Sequence, residues 1–161
     1  GGDADAARRH YRRYARLMRE GGAPRELGFS HVNLAQVELL AGDVDAAAAE
    51  FDESVRRLEQ LPETTERPHL LRLVELTLAA GTEAWSEFDA HFAHYEEGWP
   101  EDARLIKDHP WLLEMAGDYA AEAGERDRAG RAWELSRELW NRLDDEEAAE
   151  RVDEKLTSGH S

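Results

Sequence analysis

Four glycines, each placed to close a helix ahead of an acidic or hydroxyl residue, stand 40, 39 and 43 residues apart at Gly2, Gly42, Gly81 and Gly124. After three of these turns the same pair of side chains follows, Ala7 with Tyr11, Ala47 with Phe51, and Ala129 with Trp133. A small residue lets two helices come close, and an aromatic ring one turn later fills the adjoining hollow. This recurrence leaves few architectures open. Each unit of roughly 40 residues is a helical hairpin that cannot bury its apolar side alone and needs the next hairpin to cover it.

Apolar residues recur at three- and four-residue spacing almost throughout, and strand-like alternation is nearly absent, so an all-α chain is expected. Breaks at Gly21-Gly22, Gly42-Asp43, Pro62, Gly81-Thr82, Gly98-Trp99-Pro100, Asp108-His109-Pro110, Gly124-Glu125 and Asp144-Asp145 divide it. The helices between them run over 3–20, 26–41, 44–61, 66–80, 83–97, 109–123, 126–143 and 145–157, with room for an extra turn between Gly98 and Asp108. Asp3, Asp43, Thr82, Asp108 and Asp144 are the expected N-caps, and Pro68 and Pro110 sit near helix starts, where a missing N–H costs little. In the third unit Ser86 and Ala90 fall where a small residue and an aromatic are expected, leaving Trp85, Phe88 and Phe92 to take over the packing.

Asn33-Leu34-Ala35 and Met115-Ala116-Gly117 place a large-then-small pattern in the first helix, the same distance ahead of Gly42 and Gly124. With the Gly-acid turn and the Ala-x3-aromatic of the second helix, the chain resembles the long-helix variety of tetratricopeptide-repeat proteins over most of residues 1–143. The resemblance implies a right-handed α-α superhelix, a solenoid of about four helical hairpins. Residues 2–20 match only the second helix of a unit, so 1–161 is read as a single domain whose first hairpin is incomplete, a fragment of a longer protein. The helix at 145–157, apolar only at Ala148, Ala149, Val152 and Leu156, reads as a capping helix.

In that family the first helices of the hairpins line the concave ligand groove. By register this surface takes Phe29, Val32, Asn33, Gln36 and Leu40 from the first complete unit, Leu71, Arg72, Glu75 and Ala79 from the next, and Trp111, Glu114, Met115, Asp118 and Glu122 from the last. Asn33 and Arg72, opposed by Glu75 and Asp118, suit a basic or helical ligand better than an acidic one. The resemblance thus implies a protein- or peptide-binding scaffold in a larger bacterial regulatory or signalling protein; similar arrays are joined to serine/threonine kinases and ATPase-type regulators. The alternative is self-assembly as a homodimer through the first helix, whose apolar stripe Ala7, Tyr11, Tyr14, Ala15 and Met18 lacks a neighbour.

Composition narrows the chemistry. Without cysteine there is no disulfide, thiolate nucleophile or cysteine-ligated metal. With 36 acidic against 20 basic residues, a formal charge of −16 repels phosphate backbones and anionic lipid, so neither nucleic acid nor membrane is an expected partner. No apolar run approaches the roughly 20 residues of a membrane span, and no signal peptide is recognisable, which points to the cytoplasm. His91 and His94 share a helix face near Glu87 and Asp89, and Glu66-x-x-His69 is one match to a bundle metal motif that needs two, so no metal or other cofactor is expected. No nucleophile elbow or phosphate loop occurs, and no carboxylate pair stands out as acid and base, so the chain is not read as an enzyme. One charge feature runs against the whole: Arg8, Arg9, Arg12, Arg13, Arg16 and Arg19 outnumber Asp3, Asp5 and Glu20 on the first helix, a surface that would dock an acidic partner or the acidic end of a neighbouring copy.

Overall fold

The computed structural model describes residues 2–61 and 68–158. Among them the chain forms eight α-helices and no strand: α1 Gly2–Glu20, α2 Pro24–Leu40, α3 Val44–Glu59, α4 Pro68–Gly81, α5 Trp85–Phe92, α6 Asp108–Glu122, α7 Arg126–Arg142 and α8 Glu146–Ser158. A 3-10 turn, Ala93–Tyr95, extends α5. The break expected at Pro62 and the start of the helix expected over 66–80 lie outside the described residues. Two compact units result, Gly1–Val74 and Glu75–Ser161.

One backbone device ends five of the helices. Gly22, Gly42, Glu83, Gly124 and Asp144 each adopt a left-handed conformation, with φ between 58° and 82°. At each of them the following amide donates back to a carbonyl five residues earlier, Ala23 to Met18, Asp43 to Glu38, Ala84 to Ala79, Glu125 to Ala120 and Asp145 to Trp140. These bonds satisfy carbonyls that the helix end leaves unpaired and swing the chain into the next helix.

The left-handed residues correct the register read from the glycines. Gly81 is still helical, because glycine stops a helix only where its φ turns positive, and here Glu83 does so instead. Gly42, Glu83 and Gly124 then stand 41 residues apart in both steps (83−42 and 124−83). Counted from those turns, the fifth residue is Ala47, Phe88 or Ala129, the ninth Phe51, Phe92 or Trp133, and the twelfth Ser54, Tyr95 or Ser136. All of these are buried. Ser86 and Ala90, by contrast, are exposed, and the third unit keeps its aromatic at Phe92, which stacks on Phe88 at 6.0 Å. What changes there is the small residue: a phenylalanine replaces the alanine, in a helix of only 8 residues.

The caps follow suit. The Asp43 carboxylate accepts the Ala46 amide at 3.0 Å, as expected, but Asp144 is the left-handed residue and Asp145 caps α8 through the Ala148 amide. Thr82 turns its hydroxyl back to the Leu78 carbonyl, Asp108 falls inside α6 with Lys107 before it, and Asp3 lies within α1.

In the first unit α2 packs against both α1 and α3. It is buried almost all round, through Leu27, Val32, Leu34, Ala35, Val37 and Leu39, which is the pattern of a central helix. Gly28 lets α3 approach, since a Cβ there would meet the Leu58 side chain at 2.7 Å. Two polar bridges cross the helices: Arg8 of α1 donates to the buried Glu38 carboxylate of α2, and Nδ1 of His31 donates to Glu50 of α3 at 2.7 Å.

In the second unit α7 lies against α6 and α8. Ala148, Ala149, Val152 and Leu156 of α8 join Ala129, Trp133 and Trp140 of α7 in one core cluster. The ring of Trp133 occupies the space over Gly117, and its indole N–H donates to Asp118 at 3.1 Å. Buried hydroxyls are satisfied on backbone carbonyls, Thr77 on Leu112 and Ser136 on Pro110. The connection to α6 is held by Trp99, stacked on Tyr95 at 5.4 Å and tilted against His109 at 4.6 Å. Asp89 of α5 accepts from Arg128 and Arg131 of α7, while those guanidinium groups lie over Trp85 and Phe92.

Two substitutions probe this reading. Glu83→Gly removes the left-handed Cβ clash and should raise stability by about 1 kcal/mol in urea denaturation. A less stable variant would show that the glutamate side chain, and not the backbone, makes the turn. Gly117→Ala should lose about 1–3 kcal/mol, because its Cβ would lie within 2.4 Å of an indole that is itself held by Asp118. Gly28→Ala should cost less, since the Leu58 side chain it would meet at 2.7 Å and 2.8 Å is held by no hydrogen bond and alanine gains about 1 kcal/mol of helix propensity. Equal losses at the two glycines would contradict that difference.

Candidate functional site

Glycine 28 and His31 point one side of α2 at α3, through Leu58 and Glu50. Arg25, Phe29 and Asn33, spaced one turn apart, therefore lie along the opposite side. There they face α1 across an open cleft of about 390 Å³. Its walls are three aromatic rings, Tyr11 and Tyr14 from α1 and Phe29 from α2, with His10, Arg25, Glu26 and Asn33 as polar groups. The guanidinium of Arg25 lies 6.0 Å above the Phe29 ring, at the outer edge of cation–π range. Ser30 also borders the cleft, but its hydroxyl donates to the Glu26 carbonyl at 2.8 Å and is spent within the helix.

The apolar stripe expected on α1 divides in two. Ala15 is buried and Ala7, Tyr11 and Met18 are half-buried, on the helix that packs against α2. Tyr14 stays 38% exposed, and Leu17, one turn further on, 51%. Part of the surface read as uncovered thus has its neighbour in α2, and its exposed member, Tyr14, borders the cleft.

The expected groove residues meet different fates. Phe29 and Asn33 reach the cleft, Val32 and Gln36 are buried, and Leu40 is 55% exposed. Leu71 and Arg72 are half-buried on α4, where an Arg72 nitrogen lies 3.5 Å from the His69 ring. In the second unit Glu75 sits 3.2 Å from His91, Met115 is buried, Glu122 is exposed, and Trp111 packs against the α7–α8 core. His10, Arg25 and Glu26 were not anticipated as a site. The signal was present in the spacing of Arg25, Phe29 and Asn33, but the wall supplied by α1 becomes visible only in the fold.

Glu114 and Asp118 are engaged from within. Glu114 is 6% exposed and accepts from Arg151 at 2.7 Å and 2.9 Å and from Lys155 at 2.7 Å, all from α8. Asp118 accepts from Lys155 at 2.9 Å. Burial pushes the Glu114 carboxyl toward protonation, yet the hydrogen bonds from Arg151 and Lys155 together outweigh it, and the group titrates below its ordinary range. Lys155 is the mirror case: burial works to lower it, and its bonds to Glu114 and Asp118 carry it above the usual lysine value. At Asp89 the Arg128 hydrogen bond is the largest influence and holds the carboxyl low. These shifts keep each group ionised, which is the opposite of what a general acid or base working near neutral pH requires.

Among the described residues no three histidine or acidic side chains gather in a way that could hold a metal ion, and no helix is long and apolar enough to cross a membrane. Glu66 of the bundle-metal motif lies outside the described residues.

No protein-family model matches this chain, and no curated protein matches it.

The α8 network has a pH signature. A carboxyl whose folded pKa is depressed contributes stability that is present above its unfolded value and lost as pH falls through the folded one. Stability of the second unit should therefore decline as pH drops below the ordinary 4.5 of Glu114. Lys155, raised in the fold, contributes below its ordinary 10.5 and loses that contribution as pH rises past it. The five tryptophans all lie beyond residue 75, so their fluorescence reports this unit alone during urea titration. Glu114→Gln should be less stable at pH 7 and show a flatter acid limb than the parent chain; parallel limbs would mean that other carboxylates carry the effect.

Proposed function

We propose that this chain is a protein-binding helical-repeat module of the tetratricopeptide type, its hairpins stacking into a right-handed solenoid within a larger cytoplasmic regulatory protein of bacterial origin. The observation that carries the binding function is the cleft between α1 and α2. Three rings and the polar groups of His10, Arg25, Glu26 and Asn33 line it on two packed helices, and that combination of apolar area with a few directed hydrogen-bonding groups is what protein recognition uses. The repeat reading draws support from the same left-handed turn recurring every 41 residues with buried side chains at matching positions (83−42 and 124−83). A scaffold also fits the ionised, mutually bonded state of Glu114, Lys155 and Asp89, groups that serve packing and carry no proton-transfer chemistry.

A photo-crosslinker at Tyr14 should capture a partner from extracts of the source cells, whereas one at Glu134 on the outer side of α7 should not. The captured protein, prepared pure, should bind the chain in titration. Phe29→Ala with Asn33→Ala should weaken that binding about tenfold or more, as loss of a central contact pair does, while the thermal midpoint moves little. Unchanged affinity in the double variant would remove the cleft as the binding site.

A further inference from the structure

We infer that the α1–α2 cleft takes an acidic amphipathic helix of a partner protein, an inference that rests on the protein-binding reading and specifies its ligand.

Charge sets the sign. In a chain of net charge −16, α1 carries six arginines against Asp3, Asp5 and Glu20. Two of the six have internal partners: Arg8 pairs with Asp5 and Glu38, and Arg12 reaches Glu50 at 4.0 Å. Arg9, Arg13, Arg16 and Arg19 are exposed and form no ion pair among the described residues. At about 100° per residue, His10, Tyr14 and Leu17 form one stripe along α1, and Arg13 and Arg9 form the next stripe outward. A ligand seated on Tyr14 and Phe29 would thus have cationic groups along its solvent side, with Arg25 beside Glu26 on the facing wall.

The acidic side chains expected to favour a basic ligand offer it little. Glu114 and Asp118 are held by Arg151 and Lys155, and Glu75 stands beside His91. A basic segment on α1 would meet Arg9 and Arg13 unscreened. A long polyanion such as nucleic acid feels the field of the whole molecule, which is repulsive. A short acidic segment feels mainly what lies within a Debye length, about 10 Å at 0.1 M salt, and that is the arginine stripe.

Spacing sets the shape. His10 and Tyr14 on one wall, and Arg25, Phe29 and Asn33 on the other, repeat once per turn. Such a groove accepts the i, i+3, i+4, i+7 ridge of a third helix, whereas an extended strand presents its side chains every second residue. A second copy of this chain is a poor occupant: α8, acidic on its outer side, has its apolar positions Ala148, Ala149, Val152 and Leu156 buried in its own core.

The full 161-residue chain would be titrated by fluorescence anisotropy with three probes. These are a designed helical peptide with Leu and Phe on one face and Glu on the other, its Lys counterpart, and phosphatidylglycerol vesicles. The acidic peptide should bind at least tenfold more tightly than the basic one, and more weakly as salt rises. Arg9→Glu with Arg13→Glu should reverse that preference, and Tyr14→Ala with Leu17→Ser should weaken both peptides, with thermal midpoints unchanged. Preference for the basic peptide, indifference to charge reversal, binding to vesicles alone, or a dimer in light scattering that Tyr14→Ala dissolves would each overturn the inference. If neither peptide binds while a captured partner still depends on Phe29 and Asn33, the protein-binding reading stands without this ligand. If that dependence is also missing, both fall.

Discussion

The constraint on which this structure depends is the left-handed residue that ends a helix. Gly22, Gly42, Glu83, Gly124 and Asp144 each bend the chain at the same point relative to the helix they close. Everything downstream inherits its rotation from that bend, because the first residue of the next helix begins at a set angle to the last one. After Gly42, Glu83 and Gly124 the residues five, nine and twelve positions on arrive at the packing interface, and Ala47 and Phe88 hold equivalent places with very different volumes. The backbone sets where side chains meet, and side chains adjust how closely.

A second theme is the handling of charge in so acidic a chain. Two carboxylates, Glu38 and Glu114, are nearly as buried as the leucines around them. Each is held by arginine or lysine from the adjoining helix, so the desolvation cost is offset by paired, charge-assisted hydrogen bonds. The two bridges do different work. Arg8 spends one of the six α1 arginines on the α1–α2 contact and leaves the others facing solvent. Arg151 and Lys155 draw in the acids of α6, so that helix offers a ligand less negative charge than its composition suggests. The open cationic surface is on α1, in a molecule of net negative charge.

Much of the helical layout was legible before any coordinates, because glycine, proline and Asp-rich breaks punctuate a continuous three-to-four periodicity. The misreading at Gly81 is instructive. Glycine marks a helix end only by frequency, and the residue with positive φ was Glu83, a type for which that conformation is uncommon. Shifting the register by two residues turned an apparently degraded unit into one that keeps its aromatic at Phe92. The candidate site was half legible. Phe29 and Asn33 follow from register along a single helix, but Tyr14 was read as part of a self-association stripe, and Arg25 was not read at all. Burial of Val32 and Gln36 on α2, and of Met115 on α6, could not be inferred from position along their helices, since a face is filled or open only according to which helix is laid across it.

By itself the sequence determined what is local: that the described chain is helical, roughly where each helix stops, which residues are small enough to be crossed, and that α1 carries a charge opposite to the rest. Those properties depend on neighbours within a turn or two, where hydrogen bonding and side-chain volume act directly. Only the tertiary structure decided which acids are neutralised, which ring rests over Gly117, and that Tyr11, Tyr14 and Phe29 share one cleft. These are contacts between helices distant in sequence, fixed by the summed geometry of several turns, in which a shift of one residue rotates a helix by about 100° and exchanges its open face for a buried one.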